Sequence, residues 1–323
     1  MSAKLKKGVW MHNVPKESPD EVRRHAERLV RGGFDLFIPC VKNPDSMLDY
    51  HTRIGIVSPE YRAWDPLRVF CEALAGTPVR IHPWLCLALE ARTGALLQRN
   101  PELQAIDRAE PFPRLTSACM SQDAVHDYEL SLYEELLDNY PIAGVHLDYV
   151  RYQSGGCCFC DYCRSTFRRL AGVDPIRLQE GDREWPAWVD WRAANITRFV
   201  ERVRAATAKR SRELSAAVFA GYPECIASVG QDWVDWEQRG LLDFVFPMNY
   251  TMTTRIARHR ALHHLASLSG RTPVYEGLWY RPALAPQDFV AQVEAVRELG
   301  IPGFVIFEYY RLTDADLDMI REL

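Results

Sequence analysis

Eight times along this chain a short apolar run gives way to a stretch with helical spacing, and that alternation constrains the fold more than any other feature. The apolar runs fall at 8–12, 34–40, 79–86, 143–149, 214–220, 242–248, 273–278 and 303–307. The helical stretches fall at 19–31, 65–74, 122–137, 187–211, 232–238, 255–268, 286–299 and 313–323. Ser18-Pro19-Asp20-Glu21 is a well-formed helix start, with a capping serine and a proline in the first turn. Strands this short and apolar, each bounded by helices, are those of a parallel sheet buried on both faces. Eight such units predict a single (β/α)₈ barrel over residues 1–323, with long loops after strands 3 and 4 at 92–116 and around the cysteines at 157–163. A doubly wound open sheet is the alternative, but no Gly-x-Gly-x-x-Gly follows the first strand to mark a dinucleotide site.

With 47% hydrophobic and 25% charged residues, the chain can bury a large core. Its net charge of −4 offers no basic field for nucleic acid. No apolar run is long enough to span a bilayer, so no membrane partner is expected. The first residues lack the apolar segment of a signal peptide. The chain as given therefore reads as cytoplasmic, or as secreted or periplasmic if a signal has been removed. Nine cysteines, an odd number, with Cys40, Cys71, Cys86, Cys119 and Cys225 scattered through apolar segments, argue for reduced thiols. Oligomeric state is not legible.

In a barrel, polar residues at the C-terminal ends of strands converge on one mouth. Here they are His12, Lys42 with Asn43, His82 with Trp84, Asp148 with Arg151, Tyr222 with Glu224, Asn249 with Tyr250, Glu276 and Glu308. Carboxylates ringed by aromatics and amides suit glycosidic cleavage. One carboxyl protonates the leaving oxygen, and a second attacks or activates water. Asp148 is the first candidate, Glu276 its favoured partner and Glu308 the reserve. Arg151 is expected to fix or acidify Asp148 by charge pairing, which suits a nucleophile or base. His12, His82, Trp84, Arg151, Tyr222, Asn249, Tyr250, Trp279 and Tyr280 are the candidate substrate contacts. His146 alternates with Asp148 and should point inward one layer deeper. Each residue also has a plainer reading, as an ion pair, a solvated acid or a hydrogen-bonded core histidine.

Cys158-x-Cys160-x-x-Cys163 places three thiols on a turn that enters a helix. Structural zinc takes four such ligands. Cys157 adjoins Cys158 too closely to share a tetrahedral ion, so Cys119 is the better fourth ligand. The expectation is a closed structural Zn²⁺ site and no organic cofactor. Free thiols or a disulfide are the alternatives.

The segments Gly144-Val-His-Leu-Asp148-Tyr-Val-Arg151-Tyr, Asp190-Trp-Arg, Gln231-Asp-Trp-Val-Asp-Trp and Phe244-Val-Phe-Pro-Met-Asn-Tyr250 resemble the glycoside-hydrolase-like family 10 barrels, some of them linked to bacterial cell-wall glycan. The resemblance implies a (β/α)₈ barrel with Asp148 and Arg151 at the active site and a carbohydrate substrate. The cysteine turn is similar to the zinc loop of family-42 β-galactosidases, which implies Cys119, Cys158, Cys160 and Cys163 as ligands. Many retaining barrel glycosidases carry their acid/base after strand 4 and their nucleophile after strand 7, where this chain has Asp148 and Glu276. This chain departs from them in lacking the usual Asn-Glu on strand 4. A further similarity is to family-18 chitinase-like barrels, through strand 4 and Pro-Met-Asn-Tyr250. Their catalytic Glu position is occupied here by Val150. The leading expectation is a glycoside hydrolase using two carboxylates. The alternatives are a non-catalytic carbohydrate-binding barrel and a zinc-dependent hydrolase.

Overall fold

The computed structural model describes residues 4–91, 94–109, 116–281 and 283–323. Its eight main strands are β1 (Lys6–Met11), β2 (Leu36–Lys42), β3 (Trp84–Cys86), β4 (Gly144–Asp148), β5 (Glu213–Phe219), β6 (Phe244–Met248), β7 (Tyr275–Trp279) and β8 (Gly303–Phe307). They pair in parallel in that order, and β1 pairs with both β2 and β8, which closes the barrel. The expected loop at 92–116 lies partly outside the described residues. Among the described residues no helix is long and apolar enough to cross a membrane.

The principal helices are α1 (Pro19–Arg31), α2 (Pro66–Ala73), α3 (Asp123–Asn139), α4 (Asp161–Ala171), α5 (Trp185–Lys209), α6 (Trp233–Gln238), α7 (Thr254–Ser267), α8 (Pro286–Glu298) and α9 (Asp314–Glu322). The Ser18 hydroxyl accepts from the Glu21 N–H at 3.2 Å, as the local sequence requires. The third strand differs from the continuous run expected at 79–86. Arg80–Ile81 pairs with β2, and pairing resumes at Trp84 beyond Pro83, which has no N–H to donate.

Strand parity divides the core. Val9, Phe37, Val145, Leu147, Leu278 and Ile306 face the helices. Trp10, Ile38, Cys40, Trp84, Cys86, Phe246 and Tyr275 fill the barrel. A polar column runs through this interior. Trp10 Nε1 donates to His146 Nε2 at 3.1 Å. An indole N–H can only donate, so His146 Nε2 accepts, and in the neutral ring Nδ1 then donates to Ser215 Oγ at 2.9 Å. His82 Nδ1 meets the same hydroxyl at 3.1 Å, and its Nε2 meets Glu213 Oε2 at 3.0 Å. His146 is therefore inward and below Asp148. His82 belongs to the base of the barrel beside Glu213, the first residue of β5, and not to the mouth.

One buried ion cluster ties the β2 and β3 loops to α3. Lys42 Nζ lies 2.5 Å from Glu129 Oε1 and 3.0 Å from Glu90 Oε1, with all three residues fully buried. Lys42→Met would leave two buried carboxylates facing each other. We expect a loss of about 3–5 kcal/mol at pH 7.5, shrinking at pH 5 as the Glu129 carboxyl, raised by burial, takes up a proton. Urea unfolding at both pH values checks this, and a loss below about 1 kcal/mol would contradict it.

Candidate active site

Asp148 ends β4 and Glu308 follows β8, so the two carboxylates rise from opposite walls of the barrel. Between them stands Tyr250, whose phenol is pushed far up by burial and by the charges of Asp148, Tyr149 and Glu308. The Tyr250 ring stacks on Phe307 at 5.4 Å, meets Trp279 at 6.0 Å and rests edge-on against Trp10 at 6.5 Å. The column beneath Trp10 thus holds the floor of the mouth. His12 packs edge-on against Trp84 at 5.6 Å, and Trp84 lies parallel to Tyr149 at 6.4 Å. Asp148, Glu308, His12, Trp84, Arg151, Tyr250 and Trp279 are brought together.

Asp148 does not have the environment expected from its neighbours in sequence. Arg151 makes no ion pair with it. The guanidinium lies over the rings of Tyr149 and Phe219, 4.9 Å from each, and donates to the Tyr152 carbonyl at 3.3 Å. Tyr149 is in the left-handed region at φ 55° and donates its N–H to Asp148 Oδ1 at 2.6 Å. Burial outweighs that bond and the Arg151 charge, and it raises the Asp148 carboxyl to about 6. The expected acidification is therefore overturned, and Asp148 is better suited to hold a proton than to lose one. Glu308 is anchored differently. Its Oε1 is 3.9 Å from Arg311 Nε, and its buried Oε2 has no hydrogen-bond partner. The buried Trp84 indole N–H also lacks a partner.

Four other expected contacts lie elsewhere. Glu276 is fully buried on the helix side of β7, with Oε1 2.8 Å from His264 Nδ1 on α7 and Oε2 accepting from Asn249 at 2.9 Å. Its parity is opposite to that of Tyr275 and Trp279, so it cannot share their face. Asn249 also turns outward, donating to the Ala257 carbonyl at 2.8 Å. The Tyr280 hydroxyl donates to Asp316 on α9. Tyr222 packs on Trp233 of α6 at 5.2 Å and donates to Asp232 at 3.3 Å. These side chains join strand ends to the outer helices. Among residues not singled out from sequence, Trp10 and Tyr149 line this site. Tyr149 directly follows Asp148, but nothing in its type marks it for a left-handed turn.

The four cysteines form a closed group. Cys119 Sγ is 3.4 Å from Cys163 Sγ and 3.7 Å from Cys160 Sγ, and Cys160 Sγ is 3.6 Å from Cys163 Sγ. Cys158 completes the set, with all four sulfurs within 4.8 Å of one another and buried. A zinc–sulfur bond of about 2.3 Å gives a tetrahedron with edges near 3.8 Å, so the cluster fits a divalent ion. Cys157 points away, toward Asp107 Oδ2 at 3.7 Å. Cys163 Sγ contacts Ser121 Oγ at 3.2 Å, and that hydroxyl bonds to the Tyr152 phenol at 2.8 Å, four residues from Asp148.

The family model for glycosyl hydrolase-like 10 matches residues 8–272. The chain belongs to this family. Among relatives, an S-layer-related protein of Niallia circulans is 27% identical over 123 residues, covering 31% of this chain and 7% of that protein, so the chain spans only a small part of its length. Among solved structures, the PgaB (BpsB) glycoside hydrolase domain from Bordetella bronchiseptica matches with a TM-score of 0.80 and 14% identity, covering 98% of each chain. The catalytic domain of a β-amylase from Paenibacillus polymyxa matches with a TM-score of 0.65 and 12% identity, covering 97% of this chain and 94% of that one. At these identities the structural likeness concerns the fold.

The raised Asp148 carboxyl carries a stability signature. Its folded pKa of about 6 exceeds the roughly 3.9 of an unfolded chain. The cost of its charge is therefore absent below about pH 4, grows between about 4 and 6, and is complete above that. Asp148→Asn should be more stable than the parent by about 1–3 kcal/mol at pH 7.5 and no more stable at pH 4. Thermal or urea unfolding at both pH values tests this. A variant less stable at pH 7.5 would mean that the carboxylate is well paired.

Proposed function

We propose that this glycosyl hydrolase-like barrel hydrolyses O-glycosidic bonds of an oligo- or polysaccharide, with Asp148 as general acid and Glu308 as its partner. The observation that carries this reading is the contrast between the two carboxyls across Tyr250. Asp148 is raised to about 6 by burial, whereas Glu308 keeps an unpartnered oxygen. A proton held by Asp148 is available to the leaving oxygen. Glu308 Oε2 is free to accept a proton from water or to attack carbon. Tyr250 and Trp279 supply ring faces and His12 a polar edge for the sugar. Glu276, which is sealed against His264, has no part in the chemistry.

Once a glycan that is turned over has been found, Asp148→Asn and Glu308→Gln should each lower kcat by at least about 100-fold. Glu276→Gln should stay within about tenfold of the parent while melting at a lower temperature. The limb of the pH–rate profile controlled by Asp148 should fall as pH rises through about 6, because the acid is then deprotonated. Losses below tenfold in both the Asp148 and Glu308 variants would contradict the assignment of these two carboxyls, and a glycan that binds without being turned over by the parent would favour a sugar-binding barrel.

For the cysteine group we propose a structural zinc. The ion would tie the turn after β4 to the segment before α3 and so brace the chain that carries Asp148. Arg192 supports this. The residue is buried, its guanidinium donates to the carbonyls of Ala227 at 2.8 Å and Ser154 at 3.1 Å, and it covers the Tyr152 ring at 4.7 Å. A buried cation bonded to carbonyls suits a neighbouring anionic tetrathiolate better than four neutral thiols. Elemental analysis should find about one zinc per chain in reduced protein, and less than half of that in Cys119→Ser or Cys163→Ser. A parent protein without metal would refute the assignment.

A further inference from the structure

Two buried amide nitrogens without partners meet in one cavity beside the cysteine group. They are Nε2 of Gln104, a residue only 3% exposed, and Nε2 of Gln122, and among the described residues neither has a hydrogen-bond partner. A buried donor left unpaired is costly, so each of these groups calls for an acceptor. Both residues line a cavity of about 500 Å³, a volume in the range of a small-ligand cleft. Asp148, Glu308, Tyr250 and Trp279 do not line it. Cys160 does, and the walls are tied to the other cysteines. The Ile106 N–H donates to Cys158 Sγ at 3.4 Å, and the Phe159 N–H donates to the Ile106 carbonyl at 2.8 Å. The buried Phe159 ring lies 5.2 Å from that of Trp188 and 5.6 Å from the Arg108 guanidinium, which fixes it in the wall. Tyr162, on the first turn of α4, lines the same cavity and is 39% exposed. The exposed acids Glu102 and Asp161 also line it.

We infer that this cavity is a second carbohydrate-binding site, which takes one unit of a neutral glycan and is separate from the acid pair. A sugar hydroxyl accepts from an amide nitrogen and donates to a carboxylate, so one ligand satisfies both kinds of group. An anion would meet the amides but be repelled by Glu102 and Asp161. A cation would meet those carboxylates but face the amide N–H groups of Gln104 and Gln122. The C–H face of a sugar ring lies against Tyr162 and Phe159, the aromatic part of the wall. Such a site holds a glycan to the loop after β4 whether or not the mouth is filled. It does not depend on turnover by Asp148 and Glu308.

The test is an NMR titration of the full chain, carrying Asp148→Asn so that no sugar is cut, with tetrasaccharides from cellulose, chitin and starch. For one of these sugars the side-chain amide signals of Gln104 and Gln122 should shift together, with a single midpoint. Tyr162→Ala, a change at an exposed position that the fold tolerates, should raise that midpoint about tenfold. Trp279→Ala, which alters the mouth, should leave it unchanged. Inorganic phosphate should move neither amide. Amide signals that none of the sugars moves, or a midpoint that Tyr162→Ala leaves in place, would overturn the second site. A midpoint that Trp279→Ala shifts would place the sugar at the mouth and overturn it equally. Phosphate that moves both amides would overturn the neutral sugar as the ligand. The glycosidase reading stands or falls separately, on the turnover of the Asp148 and Glu308 variants.

Discussion

The two-residue period of eight parallel strands, locked when β1 pairs with both β2 and β8, decides which side chains reach the chemistry. A residue one place along a strand leaves the mouth altogether. The period puts Asp148 above His146 on one inward column, with Trp10 held beside them by the His146 ring. It also turns Glu276 and Asn249 toward α7, where Glu276 bonds to both Asn249 and His264. The candidate active site is therefore a product of register before it is a product of residue type.

That constraint explains what could be read from the sequence. Alternation of apolar runs and helical stretches was sufficient for the barrel, since few other folds bury eight short parallel strands. The inward direction of Asp148 and His146 followed from their spacing alone. The same rule applied to β7 separates Glu276 from Trp279, which are three apart and face opposite ways, and applied beyond β6 it separates Asn249 from Tyr250. Composition and family pattern drew attention to Glu276, whereas Glu308 lies one residue past β8 at the parity of the helix-facing Ile306, so its place near Tyr250 was not legible from strand parity. The depth of a side chain within the barrel was harder to read. His82 shares the inward face of Trp84, but Pro83 interrupts the strand between them and His82 belongs to the base, against Glu213.

Charge was less legible than position. Arg151 lies three residues from Asp148, and proximity in sequence suggested an ion pair. The left-handed turn at Tyr149 instead sends the guanidinium over two rings, which leaves burial as the main influence on the carboxyl. A half-buried, weakly compensated acid costs stability and provides a proton near neutral pH, a trade common at catalytic sites. The cysteine turn was legible because metal spacing is local, and Cys119 falls where a fourth ligand is needed. Arg192 was not, since its relation to the sulfurs arises only when α5 packs beneath the β4 loop.

The central claim is that burial, opposed too weakly by Arg151, keeps Asp148 as a proton donor at the mouth. The most direct measurement is a ¹³C NMR titration of its side-chain carboxyl, assigned by comparison with Asp148→Asn. A midpoint near 6 is the result this account requires. A midpoint below about 4, the ordinary range of an exposed or ion-paired aspartate, would contradict it.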